Sequence, residues 1–113
     1  MDKKLKNWTD RLAIWAQQKA EISEVWIFGS RARGAHHDNS DLDVAVSVLG
    51  DKDRRFNIWF WNFGEWKNEL QNALPVKIDL SLLDAEIPEK DKVLPAVKRE
   101  GVRVYRREEE RVT

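Results

Sequence analysis

Two neighbouring segments of this chain combine residue types that are used in phosphoryl chemistry. Residues 29–34 read G-S-R-A-R-G, and Ser40, Asp41 and Asp43 follow shortly after. A glycine has no Cβ, so the backbone at Gly29 can approach a ligand closely, and the Ser30 hydroxyl and a helical turn opening there add donors for a phosphate. Phosphate donors beside paired carboxylates indicate metal-assisted phosphoryl or nucleotidyl transfer.

The carboxylate pair lies in a segment that is typical of a β-strand. Residues 41–48 alternate strictly, with the aliphatic face formed by Leu42, Val44, Val46 and Val48. Asp41 and Asp43 share the other face, with Cα atoms about 6–7 Å apart. Two carboxylates this close repel each other unless a cation lies between them. Two alternatives stay open, since both carboxylates could be solvated or could pair with Arg31 and Arg33.

A third carboxylate, Asp79, lies in a second alternating segment, residues 76–83. It is on the non-aliphatic face, as Asp41 and Asp43 are in their own strand. If the two strands are neighbours, three carboxylates converge, although a surface aspartate is the alternative. Oxygen ligands of this kind suit Mg²⁺ or Mn²⁺, and Asp79 could also accept a proton from an attacking hydroxyl.

The remaining elements are predicted from periodicity and from helix-ending residues. We expect helices over residues 3–19, 53–74 and 88–99, the last opening at Pro88 with a kink or late start at Pro95. Strands are expected at 24–28 and 102–105, and the charged tail is expected to fray from about Arg106. This order predicts one α/β or α+β domain over residues 1–113, a mixed sheet with helices packed on one face.

Composition narrows the class of protein. The chain has 113 residues and no cysteine, and its 20 Lys and Arg match 20 Asp and Glu, so we expect no disulfides and no direct nucleic-acid binding. No apolar run and no signal-peptide pattern point to a membrane, and we expect a cytoplasmic protein. Six tryptophans could fill the core or form a partner surface, with Trp61 and Trp66 the two expected to be partly exposed.

The segments at 29–34 and 40–43, with a later strand aspartate, resemble the minimal nucleotidyltransferases of the DNA-polymerase-beta-like nucleotidyltransferase superfamily. The resemblance implies that Gly29 and Ser30 bind the triphosphate of ATP. It implies that Asp41, Asp43 and Asp79 form the catalytic metal site, which binds Mg²⁺ or Mn²⁺. Further nucleotide contacts are predicted for Arg31, Arg33 and Ser40.

The resemblance also suggests a biological role. Small members of this group often act as antitoxins paired with a HEPN-domain RNase toxin, and they transfer AMP from ATP to a tyrosine of that toxin. Two other functions remain open: an antitoxin that only binds and covers its partner, and an enzyme that modifies a small molecule. For the last of these, the chain is short for the extra helical acceptor domain that such enzymes usually carry. A homo-oligomer is a further open question.

Overall fold

A computed structural model describes residues 2–87 and 92–108 of the chain. The elements in this part follow the order α1 (Lys3–Gln17), β1 (Ile22–Phe28), α2 (Gly29–Arg33), β2 (Leu42–Val48), α3 (Lys52–Ala73), β3 (Ile78–Leu82), α4 (Val93–Glu100) and β4 (Val102–Arg106). The side chain of Asp2 caps α1 and that of Asp51 caps α3, each by accepting a backbone N–H hydrogen bond. The predicted elements are all present, with strands β1 and β3 shifted by two residues at their starts.

The four strands form one mixed sheet in the order β3-β2-β1-β4. Strand β1 is antiparallel to both β2 and β4, whereas β2 and β3 are parallel. The parallel pair is possible because α3 crosses over between them, as a parallel connection requires. The α/β class and the mixed sheet are therefore confirmed.

The core lies between one face of the sheet and helices α1 and α3. The aliphatic positions predicted from alternation are buried in it, together with aromatic side chains of both helices: Trp8, Leu12, Trp15, Val25, Ile27, Leu42, Val44, Val46, Trp59, Trp66, Leu70, Ile78, Leu80 and Leu82. Helix α4 contributes none of these core residues. Several of its residues line a cavity with Asp79 and Ser81, which alternate with the buried residues of β3. Helix α4 thus covers part of the sheet face that carries Asp79. The prediction placed the helices on one face of the sheet only.

Helix α3 buries only part of the stripe that helical spacing predicts, and it buries Trp66 in addition. The predicted stripe consists of Phe56, Trp59, Phe60, Phe63, Lys67 and Leu70. Trp61 is 77% exposed, as predicted, but Trp66 is only 2% exposed, so its predicted exposure was wrong. The Trp66 ring packs edge-on against Trp15, with ring centroids 6.1 Å apart. Phe56 and Phe60, which were assigned to the buried stripe, are 47% and 63% exposed. Aromatic residues occur around the whole helix, so periodicity alone could not choose the face.

The start of α4 and the end of β4 bear on two predictions. Helix α4 begins at Val93, in agreement with the predicted late start near Pro95, which lies in the first turn, where a missing N–H is tolerated. Pro88 lies outside the described residues. Arg106 belongs to β4, and the Arg107 side chain donates hydrogen bonds to the backbone carbonyls of Ile22 and Lys19 at 2.9 and 2.6 Å. These two residues are held in place, contrary to the predicted fraying from Arg106, and residues 109–113 are outside the described part.

An ion pair fixes α3 to the segment that follows β3. Arg55 Nε donates to Asp84 Oδ2 at 2.6 Å, and the Asp84 side chain is only 7% exposed. Burial alone would raise the pKa of Asp84, but hydrogen bonds from Arg55 and from the backbone of Glu86 and Ile87 outweigh it and lower the pKa below its usual value. This contact holds the helix over the edge strand that carries Asp79.

Across residues 2–87 and 92–108, no helix combines the length and the apolar composition needed to cross a membrane.

Trp66→Ala tests the corrected core assignment. We expect it to reduce the free energy of unfolding by about 3–5 kcal/mol, because it removes a buried aromatic side chain and leaves a cavity. Trp61→Ala is the control on the same helix and should change stability by no more than about 0.5 kcal/mol. Urea unfolding followed by circular dichroism measures both, and equal losses in the two variants would contradict the assignment.

Asp84→Asn tests the ion pair through its pH dependence. A carboxyl whose pKa is lowered on folding stabilises the protein above its unfolded pKa, and this contribution disappears as the pH falls through the folded value. We therefore expect the variant to melt several degrees below the wild type at neutral pH. The two melting temperatures should converge as the pH falls through the lowered pKa of folded Asp84, since both side chains are then uncharged. A constant difference across this range would show that packing, rather than charge, makes the contact important.

Candidate active site

Asp43 and Asp79 face each other across the parallel strands β2 and β3. They are register partners, and their sequence neighbours Leu42, Ile78 and Leu80 are buried on the opposite face. Burial of the Asp43 carboxyl, followed by the negative charges of Asp79 and Asp41 and by the nearby Asp79 side chain, raises the pKa of Asp43 to about 6. The sheet therefore holds Asp43 where its ionisation is opposed by its surroundings.

Asp41 lies beside this pair rather than within it. It directly precedes β2, its side chain is 36% exposed, and its nearest cation is Lys77 at 4.0 Å. The Asp41 charge reaches Asp43, since it contributes to the raised pKa. Within the part of the chain that the structure describes, no three His, Cys, Asp or Glu side chains are grouped as a ready-made metal site. The structure brings two of the three predicted carboxylates into contact and leaves the third at the margin.

The glycine turn lies directly against one member of this pair, Asp43. Gly29 opens α2 at the end of β1 and has a φ of +77°, a conformation that disfavours any residue with a Cβ. A Cβ placed there would overlap the Asp43 Oδ2 atom. Glycine is thus required at this position both for backbone conformation and for contact with the carboxylate.

Arg31 and Ser40, two of the predicted nucleotide contacts, are engaged in holding the loop between α2 and β2. Arg31 is 6% exposed, and its guanidinium donates to the carbonyls of Ser40 at 2.9 Å and Asp38 at 3.3 Å and lies over the Trp8 ring. The Ser40 hydroxyl accepts a hydrogen bond from the His37 N–H at 2.8 Å. Arg31 is not placed to meet a phosphate, because a buried guanidinium is satisfied here by backbone carbonyls.

Ser30 and Arg33, the other two predicted contacts, lie on α2 itself. Ser30 follows Gly29 in the first turn and is half-buried, while the Arg33 side chain is 49% exposed. Both are therefore accessible from the side of the glycine turn.

Sequence reasoning missed Glu100. Its carboxylate accepts a hydrogen bond from Arg33 at 2.7 Å, and its side chain is only 10% exposed. The Arg33 hydrogen bond is the largest cause that lowers the pKa of Glu100, and the Gly29 backbone N–H contributes to the same shift. A carboxylate thus already lies beside the glycine turn and is paired with Arg33. The only signal in the sequence was the position of Glu100 before the helix-ending Gly101, and nothing there connects it to residue 33.

A cavity of about 450 Å³ lies next to the glycine turn. Gly29 and Asp79 line it from the sheet side, and Lys92, Arg99 and Glu100 line it from the α4 side. The cations suit a polyphosphate, and the carboxylates offer the oxygen atoms that a divalent cation prefers.

The residues present fit a magnesium or manganese ion. The negative charge of Asp79 contributes to the raised pKa of Asp43, and a cation bound between the two carboxylates would relieve this repulsion. Mg²⁺ is commonly bound by one or two carboxylates and takes its other ligands from water and substrate phosphates. A pair of carboxylates beside a cavity that suits phosphates is therefore sufficient.

Comparing Gly29→Ala with Gly34→Ala distinguishes two effects of an added Cβ: overlap with Asp43 and strain of a backbone with positive φ. Both glycines have similar positive φ values, +77° and +76°, but a Cβ at Gly34 meets nothing within 4 Å. We expect both variants to lose about 1 kcal/mol of stability. Only Gly29→Ala should also abolish nucleotidyl transfer, because it displaces the Asp43 carboxylate. Calorimetry and an AMP-transfer assay measure the two effects, and equal activity in both variants would exclude a special role for Gly29.

Comparison with known proteins agrees with this geometry. Residues 11–110 match the family model described as polymerase beta, nucleotidyltransferase. MJ1215 of Methanocaldococcus jannaschii, named as a proposed protein adenylyltransferase, is 31% identical over 64 residues, which cover 57% of this chain and 67% of that protein.

Two solved structures share the fold. A toxin–antitoxin structure with AMP-PNP aligns over 89% of this chain and 74% of its own, with 24% identity and a TM-score of 0.61. A tri-AMPylated Shewanella oneidensis HEPN toxin in complex with its MNT antitoxin aligns over 92% and 73%, with 20% identity and a TM-score of 0.55. At these identities the structures show the fold alone. The family match over most of the chain shows that this protein belongs to the polymerase beta nucleotidyltransferase family.

Proposed function

We propose that this nucleotidyltransferase transfers AMP from ATP to a tyrosine hydroxyl of a HEPN-domain toxin, and that it is the antitoxin of the pair. The observation that carries the proposal is the close approach of the Asp43 carboxylate, whose register partner is Asp79, to the glycine turn at Gly29. This contact places acidic oxygens beside the backbone donors that a triphosphate would use. The named relatives support the biological setting, since they include a proposed protein adenylyltransferase and an AMPylated HEPN toxin bound to an MNT antitoxin.

In this proposal, the glycine turn and the cavity beside it bind the triphosphate. Gly29 and Ser30 offer donors to phosphate oxygens, and Arg33 exchanges its Glu100 partner for phosphate charge. Lys92 and Arg99 face the same cavity and add positive charge. Arg31 and Ser40 act indirectly, by keeping the loop that leads to Asp41 in place.

Asp43 and Asp79 would hold Mg²⁺ or Mn²⁺, with Asp41 at hand as a third carboxylate. The ion, when bound, neutralises charge on the attacking and leaving oxygens. The acceptor oxygen forms a bond to the α-phosphorus of ATP while the bond from that phosphorus to the β-bridging oxygen breaks, so pyrophosphate leaves. Asp79 is exposed on the edge strand and is the residue we assign to accept the hydroxyl proton.

Asp43→Asn tests the proposed reaction. We expect AMP transfer to fall by about 100-fold or more while the fold is retained, because the amide cannot replace an anionic ligand. The assay incubates the protein with ATP, Mg²⁺ and a HEPN-domain protein, and it measures AMP addition to that protein by mass spectrometry. Asp53→Asn, on the exposed first turn of α3, is the control and should match the wild type. Full transfer by Asp43→Asn would refute the assignment.

A second function, neutralisation by binding alone, is favoured by the exposed aromatic side chains of α3. Phe56 and Phe60 stack with centroids 6.1 Å apart, and Trp61 packs edge-on against Phe60 at 5.3 Å. Such a cluster is typical of a partner surface. The Asp41→Asn/Asp43→Asn double variant distinguishes the two functions when toxin RNase activity is assayed. If it suppresses the toxin as well as the wild type does with ATP present, binding alone is sufficient and AMP transfer is not the mechanism of neutralisation.

A further inference from the structure

Asp79 lies between two cavities that differ in chemistry. The larger cavity, about 450 Å³, contains the glycine turn and the cations of α4. The smaller cavity, about 220 Å³, contains neither, and we call it the α3–β3 cleft. Asp79, Ser81 and Val93 line both. A group transfer needs one site for the donor and one for the acceptor, and both sites must reach the same reacting atoms. Asp79 borders both of these adjoining cavities.

The two sides of the α3–β3 cleft differ in character. The α3 side, which we call the aromatic end, is mostly aromatic, and the β3 side, which we call the polar end, is mostly polar. Trp59 and Phe63 of α3 have ring centroids 4.9 Å apart, inclined by 51°. Lys67 Nζ lies 6.0 Å from the centroid of the Phe63 ring. Asp79 and Ser81 of β3 supply a carboxylate and a hydroxyl opposite these rings. A ligand that matches both ends has a flat apolar body and a polar tip, as a phenol does.

The size of the cleft further limits which ligands can bind there. Whole small-molecule ligands occupy pockets of roughly 300–1,000 Å³, so a 220 Å³ cleft suits a single side chain rather than a nucleotide. A serine or threonine side chain is small enough to enter, but it has no ring to pack against the aromatic residues of the cleft. A six-membered ring fills the apolar end and carries its hydroxyl to the polar end.

We propose that the α3–β3 cleft is the acceptor site, and that it binds a tyrosine side chain of a protein partner with the phenol hydroxyl at Asp79. Phe63 and Lys67 are then acceptor-binding residues, a role separate from nucleotide binding. The inference rests on the proposed function, because it assigns the second substrate of that reaction. The phenol oxygen at Asp79 would face the cavity assigned to ATP, and its proton would pass to Asp79 as the new bond to phosphorus forms.

The test measures binding of the acceptor probe N-acetyl-3-fluorotyrosinamide by fluorine NMR, with the full chain and without ATP. We expect the wild type to bind the probe and Phe63→Ala to bind it about tenfold more weakly, because half of the aromatic wall is removed. Ile14→Ala is the control, since Ile14 is an exposed apolar residue of α1, 57% exposed, and does not line the cleft. N-acetylserinamide at equal concentration should not displace the probe.

Three outcomes would overturn the proposal: no binding by the wild type, equal binding by Phe63→Ala, or displacement by N-acetylserinamide. Ser81→Leu gives a second, independent test, because it fills the polar end of the cleft and leaves the aromatic residues intact; unchanged probe binding in this variant would also refute the acceptor site. This binding assay needs no catalysis. Failure of AMP transfer in the wild type would therefore refute the proposed function, whereas these results decide the acceptor site alone.

Discussion

The site depends on two carboxyl groups that the sheet holds side by side against their mutual repulsion. Asp43 and Asp79 are register partners on parallel strands, and the aliphatic residues that alternate with them are buried on the opposite face. Neither aspartate can turn away without exposing that core. Burial of apolar side chains thus stabilises an arrangement that electrostatics alone disfavours, and the raised pKa of Asp43 reflects this conflict. A cation or a shared proton is the natural means of relieving it.

The turn beside this pair is constrained from two directions. On one side, Gly29 has no room for a Cβ because the Asp43 carboxylate occupies that space. On the other side, Glu100 at the end of α4 accepts a hydrogen bond from Arg33, and the Gly29 N–H contributes to the lowered pKa of Glu100. The backbone of the turn therefore lies between carboxylates, and its donors are already oriented toward negative charge. Such preorganised donors are what phosphate binding requires, since no further ordering is needed when the ligand arrives.

Helix α3 connects the core to the candidate acceptor site. Trp66 and Leu70 pack into the core, and the Arg55–Asp84 ion pair ties the first half of the helix to the end of β3. Between these anchors, Trp59 and Phe63 form one wall of the α3–β3 cleft. The same helix also presents Phe60 and Trp61 to solvent. Some of its aromatic residues therefore stabilise the core, others line the α3–β3 cleft, and the exposed ones form a candidate partner surface.

Sequence patterns were informative wherever the physical cause was local. Strict alternation in residues 41–48 and 76–83 revealed both strands and the faces of Asp43 and Asp79, because side chains of a strand point alternately to opposite sides. Other features depended on contacts between distant residues. Aromatic residues surround α3, so only packing against Trp15 decided that Trp66 is buried and Phe60 is not.

By itself, the sequence determined the order of the elements, the glycine turn, the family resemblance and the candidate carboxylates. Only the tertiary structure decided that β2 and β3 are adjacent and parallel, which joins Asp43 to Asp79 and leaves Asp41 at the margin. It also turned Arg31 inward to the loop carbonyls and brought Glu100 to Arg33. The physical reason is that periodicity fixes the face of a side chain within its own element, whereas the partner it meets depends on how distant elements pack.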